Sequence, residues 1–244
     1  MKKKSTFPKI IVLCFILVSI ILSSCRAFGK SQPISASSEV VETATPLKTA
    51  TLCTAKEPTT LFYYDEPSEG AEMIFAALYD GPFDWVGYQV QPVILEEIPS
   101  VVDGSASYAP VQVKAGDLVI DSMGNIATLA EGLRLFPSGC QAMDCAITWD
   151  GFSSLQMDQL TLLYMLKEGV RWSDGEPVKA NDVQFAYQVA KALESSRFTK
   201  VVDRILTYES LDERRVRVTL LPGLLTSDYA QFFFSPLPEH TLKV

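Results

Sequence analysis

The chain has 244 residues, 48% of them hydrophobic, with 29 acidic against 21 basic side chains and a formal charge of −8. That length suffices for a sizeable core. The acidic balance argues against nucleic acid as a partner, since phosphate binding needs clustered Lys and Arg. At the N-terminus Lys2, Lys3, Lys4 and Lys9 precede an apolar run from Ile10 to Leu22. A basic start and a short apolar core fit a secretory signal and fall short of a spanning helix.

Leu22-Ser23-Ser24-Cys25 resembles a bacterial lipobox. Cleavage there would leave diacylglycerol on Cys25, and two acyl chains anchor stably where one is marginal. Residues 1–24 are therefore expected to be a lipoprotein signal peptide. Without them 17 basic and 29 acidic residues remain, a charge of −12. Residues 25–52 are rich in Ser, Thr, Ala and Pro and lack apolar periodicity, which reads as a disordered tether. The expected location is outside the cell, on the outer face of the cytoplasmic membrane or in the periplasm.

Cysteine usage agrees with export. Cys14 leaves with the signal and Cys25 is the lipidation site, leaving Cys53, Cys140 and Cys145. Cys140 and Cys145 close a short loop and are expected to pair, so Cys53 is left over. Two cysteines and the single histidine, His240, make no four-ligand metal site, and neither metal nor cofactor is expected. There is no G-x-S-x-G motif, and His240 near the C-terminus lacks an evident nucleophile. An exported hydrolase is the least favoured reading.

Within residues 53–244, Thr59 to Tyr64 reads as a strand on β propensity, and Ser68 can cap a helix over Glu69–Tyr79. Pro99 to Pro137 reads as a hairpin-rich insert, with short strands at 111–113, 118–120, 126–129 and 130–135. Another strand and turn follow at Ala146–Gly151. Leu160–Leu166 is apolar on both faces and predicts a strand buried on both sides. Asp174-Gly175 supplies a turn. A helix follows from near Ala180, with Val183, Tyr187, Ala190 and Leu193 on one stripe. Lys179 cannot act as a hydroxyl cap, so the helix start should be weak or displaced to Asn181. Strands are predicted at 205–208 and 216–220, and a short helix at 229–234.

The block Leu166, Gly169, Val170, Trp172, Asp174, Gly175, Pro177, Val178, Ala180, Asp182, Val183 and Phe185 resembles the signature region of the family 5 extracellular solute-binding proteins, the peptide-, dipeptide- and nickel-binding components of ABC importers. Glu57–Leu61, Leu78–Pro82, Gln91–Glu96 and Ser235–His240 resemble further blocks of that family, in the same order. The resemblance implies an α/β periplasmic-binding-protein-like lobe of type II, with a β-hairpin-rich insert and the second lobe absent. It also implies capture of a peptide or similar small solute between lobes and delivery to an ABC permease, without chemistry on the ligand. The family's acidic anchor for a peptide amine falls in the missing half. Candidate ligand contacts in this half follow strands: Tyr63, Tyr64 and Asp65, then Trp149 and Asp150. Trp172, Asp174, Gly175 and Asp182 are expected to build the fold. The alternative is a truncated or split lipoprotein fragment that transports nothing.

Overall fold

A computed structural model describes residues 51, 53, 56–65, 68–79, 81–193 and 197–243. The signal peptide, Cys25 and almost all of the tether lie outside these residues. Leu52–Val244 forms one compact unit. Its elements are α1 (Glu69–Leu78), β1 (Phe83–Val86), β2 (Gln89–Pro92), β3 (Ala106–Val113), β4 (Leu118–Ile120), β5 (Ile126–Thr128), β6 (Arg134–Leu135), β7 (Ile147–Thr148) and β8 (Leu155–Met165). After these come α2 (Ala180–Ala192), α3 (Thr199–Val202), β9 (Ile205–Ser210), β10 (Arg215–Leu220) and α4 (Glu239–Leu242). The result is a mixed α/β lobe with a hairpin-rich insert.

Four antiparallel strands in the order β3-β8-β10-β9 make the main sheet. Strand β8 runs through its middle and changes allegiance along its length. Leu160, Leu162 and Tyr164 are buried in the main core with Val216 and Val218 of β10 and Val183, Ala186 and Tyr187 of α2. Leu155 and Met157 are buried in a second core with Val113, Val119, Leu129, Leu135 and Trp149. Side chains alternate across a strand, and the β3–β8 register runs without a shift from Ala106↔Leu162 to Val113↔Leu155. The two sets therefore project from opposite faces, and the phase switches at Asp158-Gln159. Strand β3 matches the switch, with Ala106 in the main core and Val113 in the second.

The expectation that Leu160–Leu166 is buried on both faces is thus corrected. Thr161 and Leu163 are only half-buried and Met165 is exposed. Among the described residues, α2 packs with the opposite set, Leu160, Leu162 and Tyr164, so the apolarity of Leu163 and Met165 does not translate into burial. Strand β3 is longer than the predicted 111–113 segment. Its Pro110 argues against a strand interior, yet β3 pairs only with β8, and an edge strand tolerates a missing N–H.

In β9, Ile205 and Tyr208 are both buried although three residues apart. A register shift opposite Thr219 and Leu220 accommodates the extra residue and returns both side chains to one face. Helix α1 starts as predicted: Ser68 Oγ accepts from the Ala71 N–H at 3.4 Å, and Glu69 and Glu72 favour the positive end of the helix.

Thr59–Tyr64 is not a strand. The Asp65 N–H donates to the Phe62 carbonyl at 3.1 Å, which makes a turn. The aromatic side chains pack as rings instead of on a pleat, with Tyr63 5.6 Å from Phe75 and Tyr64 5.0 Å from Phe198 between centroids. High β propensity reflects side-chain packing, and an aromatic cluster meets the same demand. The predicted helix at 229–234 is a single 3-10 turn, Ala230–Phe232. Hairpin β1–β2 was not predicted, although Gly87-Tyr88 is a two-residue turn with Gly87 at φ 65°.

Gly223 joins the two cores. Its N–H donates to the Asp158 carbonyl at 2.8 Å, and its φ is +88°. A Cβ there would lie 2.5 Å from Met157 Cε and 2.7 Å from the Ile120 carbonyl oxygen. Gly223→Ala should therefore cost about 2–4 kcal/mol from left-handed strain plus overpacking. Urea unfolding followed by circular dichroism checks this, and an unchanged midpoint would refute it.

Candidate functional site

The residues after β8 fold back as a narrow turn. Val178 N–H donates to the Val170 carbonyl at 3.0 Å and Trp172 N–H to the Glu176 carbonyl at 2.8 Å. Gly175 sits at φ +93°, a conformation that a Cβ would disfavour, and Asp174 Oδ1 accepts from the Glu176 N–H at 3.0 Å. The turn presents Trp172 toward the start of α2. There Trp172 Nε1 donates to Asp182 Oδ2 at 3.2 Å.

Asp182 is the buried charged side chain of the described residues, 6% exposed. Its Oδ2 also accepts from the Lys179 N–H at 2.8 Å, and its Oδ1 from the Glu239 N–H at 3.0 Å. Its own carbonyl accepts from the Leu237 N–H at 3.2 Å. The helix therefore begins at Ala180 despite Lys179, which corrects the expectation of a displaced start. A lysine cannot accept the N3 N–H, but the reciprocal half of a capping box, carboxylate to N-cap N–H, is made. Removal of this carboxylate leaves several buried N–H groups without an acceptor. Asp182→Ala should lose about 3 kcal/mol, and Asp182→Asn less, in denaturant unfolding. Equal stability of Asp182→Ala and the parent would contradict this role.

A cleft of about 330 Å³ opens beside the turn. One wall is Val170, Arg171, Trp172 and Ser173, another is Leu78 and Tyr79 at the end of α1, and a third is Ser235-Pro236. Leu78 and Tyr79 are exposed, so this apolar surface faces solvent. Arg171 Nη1 is held by the Gly175 carbonyl at 2.7 Å, which fixes a guanidinium at the cleft's edge. Apolar and aromatic walls with a few polar groups suit binding of a small or extended solute. They supply no nucleophile–base pair. Among the described residues no three His, Cys, Asp or Glu side chains are grouped to hold a metal.

The other sequence candidates are dispersed. Tyr64 is fully buried in the main core, and its hydroxyl donates to the Ser235 carbonyl. Burial raises its phenol well above the usual value. Tyr63 is half-buried and Asp65 exposed on the same turn. Trp149 belongs to the second core, with Nε1 donating to the Ser153 carbonyl at 2.9 Å. Asp150 accepts from the N–H groups of Phe152 at 3.0 Å and Ser153 at 2.7 Å, and Ser153 hydrogen bonds lower its pKa. Tyr64 and Trp149 thus present almost no side-chain surface to a ligand, and the two groups sit in different cores. Cys140 and Cys145 are disulfide-bonded, and Cys53 is an exposed free thiol.

Arg197 escaped sequence reasoning altogether. Its guanidinium lies 4.8 Å from the Tyr63 ring centroid and 4.9 Å from that of Phe198, pairs with Glu72, and donates to the Tyr63 carbonyl at 3.1 Å. It clamps α1 and the Phe62–Asp65 turn to the approach to α3. The loop it occupies carries no sequence pattern that announces such a contact.

Residues 149–238 match the profile of the bacterial extracellular solute-binding proteins, family 5 Middle. No curated protein matches the chain. Among solved structures, the chain is similar to the oligopeptide binding protein from Thermus thermophilus complexed with pentapeptide, with 16% identity and a TM-score of 0.45. That alignment covers 71% of this chain and 22% of the other. It is also similar to a mannohexaose-bound periplasmic oligopeptide-binding protein from Thermotoga maritima, with 19% identity, a TM-score of 0.28, and 54% and 21% of the two chains covered. The chain thus spans about a fifth of the length of these two proteins. Both superpositions are loose, so the likeness to the family rests on the sequence match, a segment that contains Trp172 and Asp182. Over that segment the chain is similar to the family 5 extracellular solute-binding proteins.

Proposed function

We propose that this chain is a substrate-binding component of an ABC importer, an exported lipoprotein that captures peptides or similar small solutes and hands them to a membrane permease. The observation that carries this reading is positional. The family match at 149–238 includes the 170–178 turn and Ser235-Pro236, which together line the open apolar cleft. Both similar solved structures are named as oligopeptide-binding proteins, one with a pentapeptide and one with mannohexaose.

The layout that goes with it is a signal peptide at 1–24, lipid on Cys25, a tether at 25–52 and the solute-binding part at 53–244. The Cys140–Cys145 disulfide suits an oxidising compartment. No helix of the described residues is long and apolar enough to cross a membrane, and the lipid would provide attachment. Binding requires no reaction on the solute. It would bias an open–closed equilibrium that the permease reads, and the bias can be no larger than the solute's differential affinity for the two states. The chain is read as a binding protein and not as an enzyme.

A second reading, a lipoprotein fragment without transport activity, is favoured by one observation. Trp85 is 74% exposed and Tyr88 fully exposed on hairpin β1–β2, apolar surface that calls for a cover. Equilibrium dialysis of the full chain against a labelled mixture of short peptides separates the two. Retention with a dissociation constant on the order of 10 μM or tighter is expected for the importer component. No retention at saturating peptide would sink it in favour of the fragment. For the anchor, labelled palmitate should be incorporated during bacterial expression and lost in Cys25→Ala. Labelling that persists in the variant would overturn the assignment of Cys25.

A further inference from the structure

Helix α4 is docked by unusual means. It is a single turn, Glu239–Leu242, and buries none of its residues. So short a helix is unstable alone, and among the described residues none of its side chains is fully buried against the lobe. Two polar contacts tie it down. The Glu239 N–H donates to the buried Asp182 carboxylate at 3.0 Å, and His240 Nε2 lies 2.8 Å from Asp174 Oδ2 on the Trp172 turn. The His240 ring centroid is 6.5 Å from that of Trp172. Only the second contact joins an imidazole to a carboxylate, and both partners are part-exposed, at 35% and 47%.

We infer that α4 is a proton-controlled latch, in which protonated His240 on Asp174 clamps the chain after Pro238 against the Trp172 turn and its release frees that turn of helix. The device sits next to the cleft, because Asp174 follows Ser173, and Ser235-Pro236 lead into Leu237 and Pro238. The latch stands on this geometry and does not depend on the identity of the solute.

The groups that attract protonated His240 are acidic, while Arg171 of the same turn donates to the Gly175 carbonyl beside Asp174. Asp174 is its direct partner, while Asp182 and Glu176 add attraction from α2 and the turn. On α4 itself Glu239 is paired with Lys243 at 2.6 Å. The hydrogen bond to Asp174 is the main cause holding the His240 pKa above 6.5, and the reciprocal bond lowers that of Asp174. The sign follows from linkage. A raised histidine pKa makes docking fully effective below 6.5, and the contribution is lost as pH rises through the raised value. At the acid end, docking is lost as pH falls through the lowered pKa of Asp174. The latch is closed between these limits and opens on the alkaline side.

His240 is the single histidine, so a histidine-labelled sample of the full chain gives one imidazole signal to titrate. The backbone carbon shifts of residues 239–242 are followed in the same samples. The expected result is a His240 midpoint above 6.5, with helical shifts of 239–242 decaying at that same midpoint. Asp174→Asn should lower the midpoint and disorder 239–242 already at neutral pH. The substituted side chain lies on an exposed turn, and the wild-type titration alone decides the main point. Helical shifts that persist while His240 deprotonates would overturn the latch, as would an Asp174→Asn midpoint equal to that of the parent.

Discussion

The carboxylate of Asp182 is the point from which the rest of this lobe is hung. A buried charge is tolerated only when its lone pairs are used. Asp182 uses them on three separate parts of the chain: the Trp172 indole, the Lys179 N–H at the helix start and the Glu239 N–H beyond the last core residue. Each of these hydrogen-bond donors is neutral, so oriented dipoles and not a direct ion pair hold the carboxylate in place. Such an arrangement has directional demands that an ion pair lacks. The turn, the helix and the exit segment must reach their places together, which gives a local motif the character of a tertiary lock.

A second theme is how the irregular stretch from Leu224 to Pro238 is held without a strand ladder. Buried backbone polar groups need partners. Tyrosines from regular elements reach in to provide them. Tyr164 Oη donates to the Tyr229 carbonyl at 2.6 Å, Tyr108 Oη to the Thr226 carbonyl at 3.1 Å, and Tyr64 Oη to the Ser235 carbonyl. Tyr208 Oη accepts from the Phe234 N–H at 3.4 Å. Burial raises the pKa of each of these phenols, so they stay neutral at ordinary pH. The same segment brings Ser235 and Pro236 to the cleft, and its fixed position is what gives the cleft a third wall.

Much of this was legible in the residues. The hairpins of the insert, the cap at Ser68, the turn at Asp174-Gly175 and the stripe of α2 follow from local chemistry that acts within a few positions. What local chemistry could not supply was the destination of side chains. Leu163 and Met165 are as apolar as Leu162, yet only Leu162 is buried, because α2 covers one face of the sheet. Tyr64 and Trp149 looked like cleft residues since they follow extended segments, yet each fills a core. Asp182 was identified as a fold-builder from its place in the block. Its bond to Glu239 was invisible, because a contact across 57 positions leaves no spacing to read.

The phase switch in β8 has a consequence for how the chain finds its pairing. A one-residue slip in a sheet turns every side chain to the wrong face. In most strands that error empties one core, and a strand with apolar residues on both faces can hide it. Along β8 the slip would be felt twice. Leu160, Leu162 and Tyr164 would leave the main core while Leu155 and Met157 left the second, with polar Gln156, Asp158 and Gln159 offered in exchange near the crossing. The crossing point thus works as a vernier. Two scales meet there, only one alignment satisfies both, and the apolar far face of β8 costs the protein little in pairing fidelity.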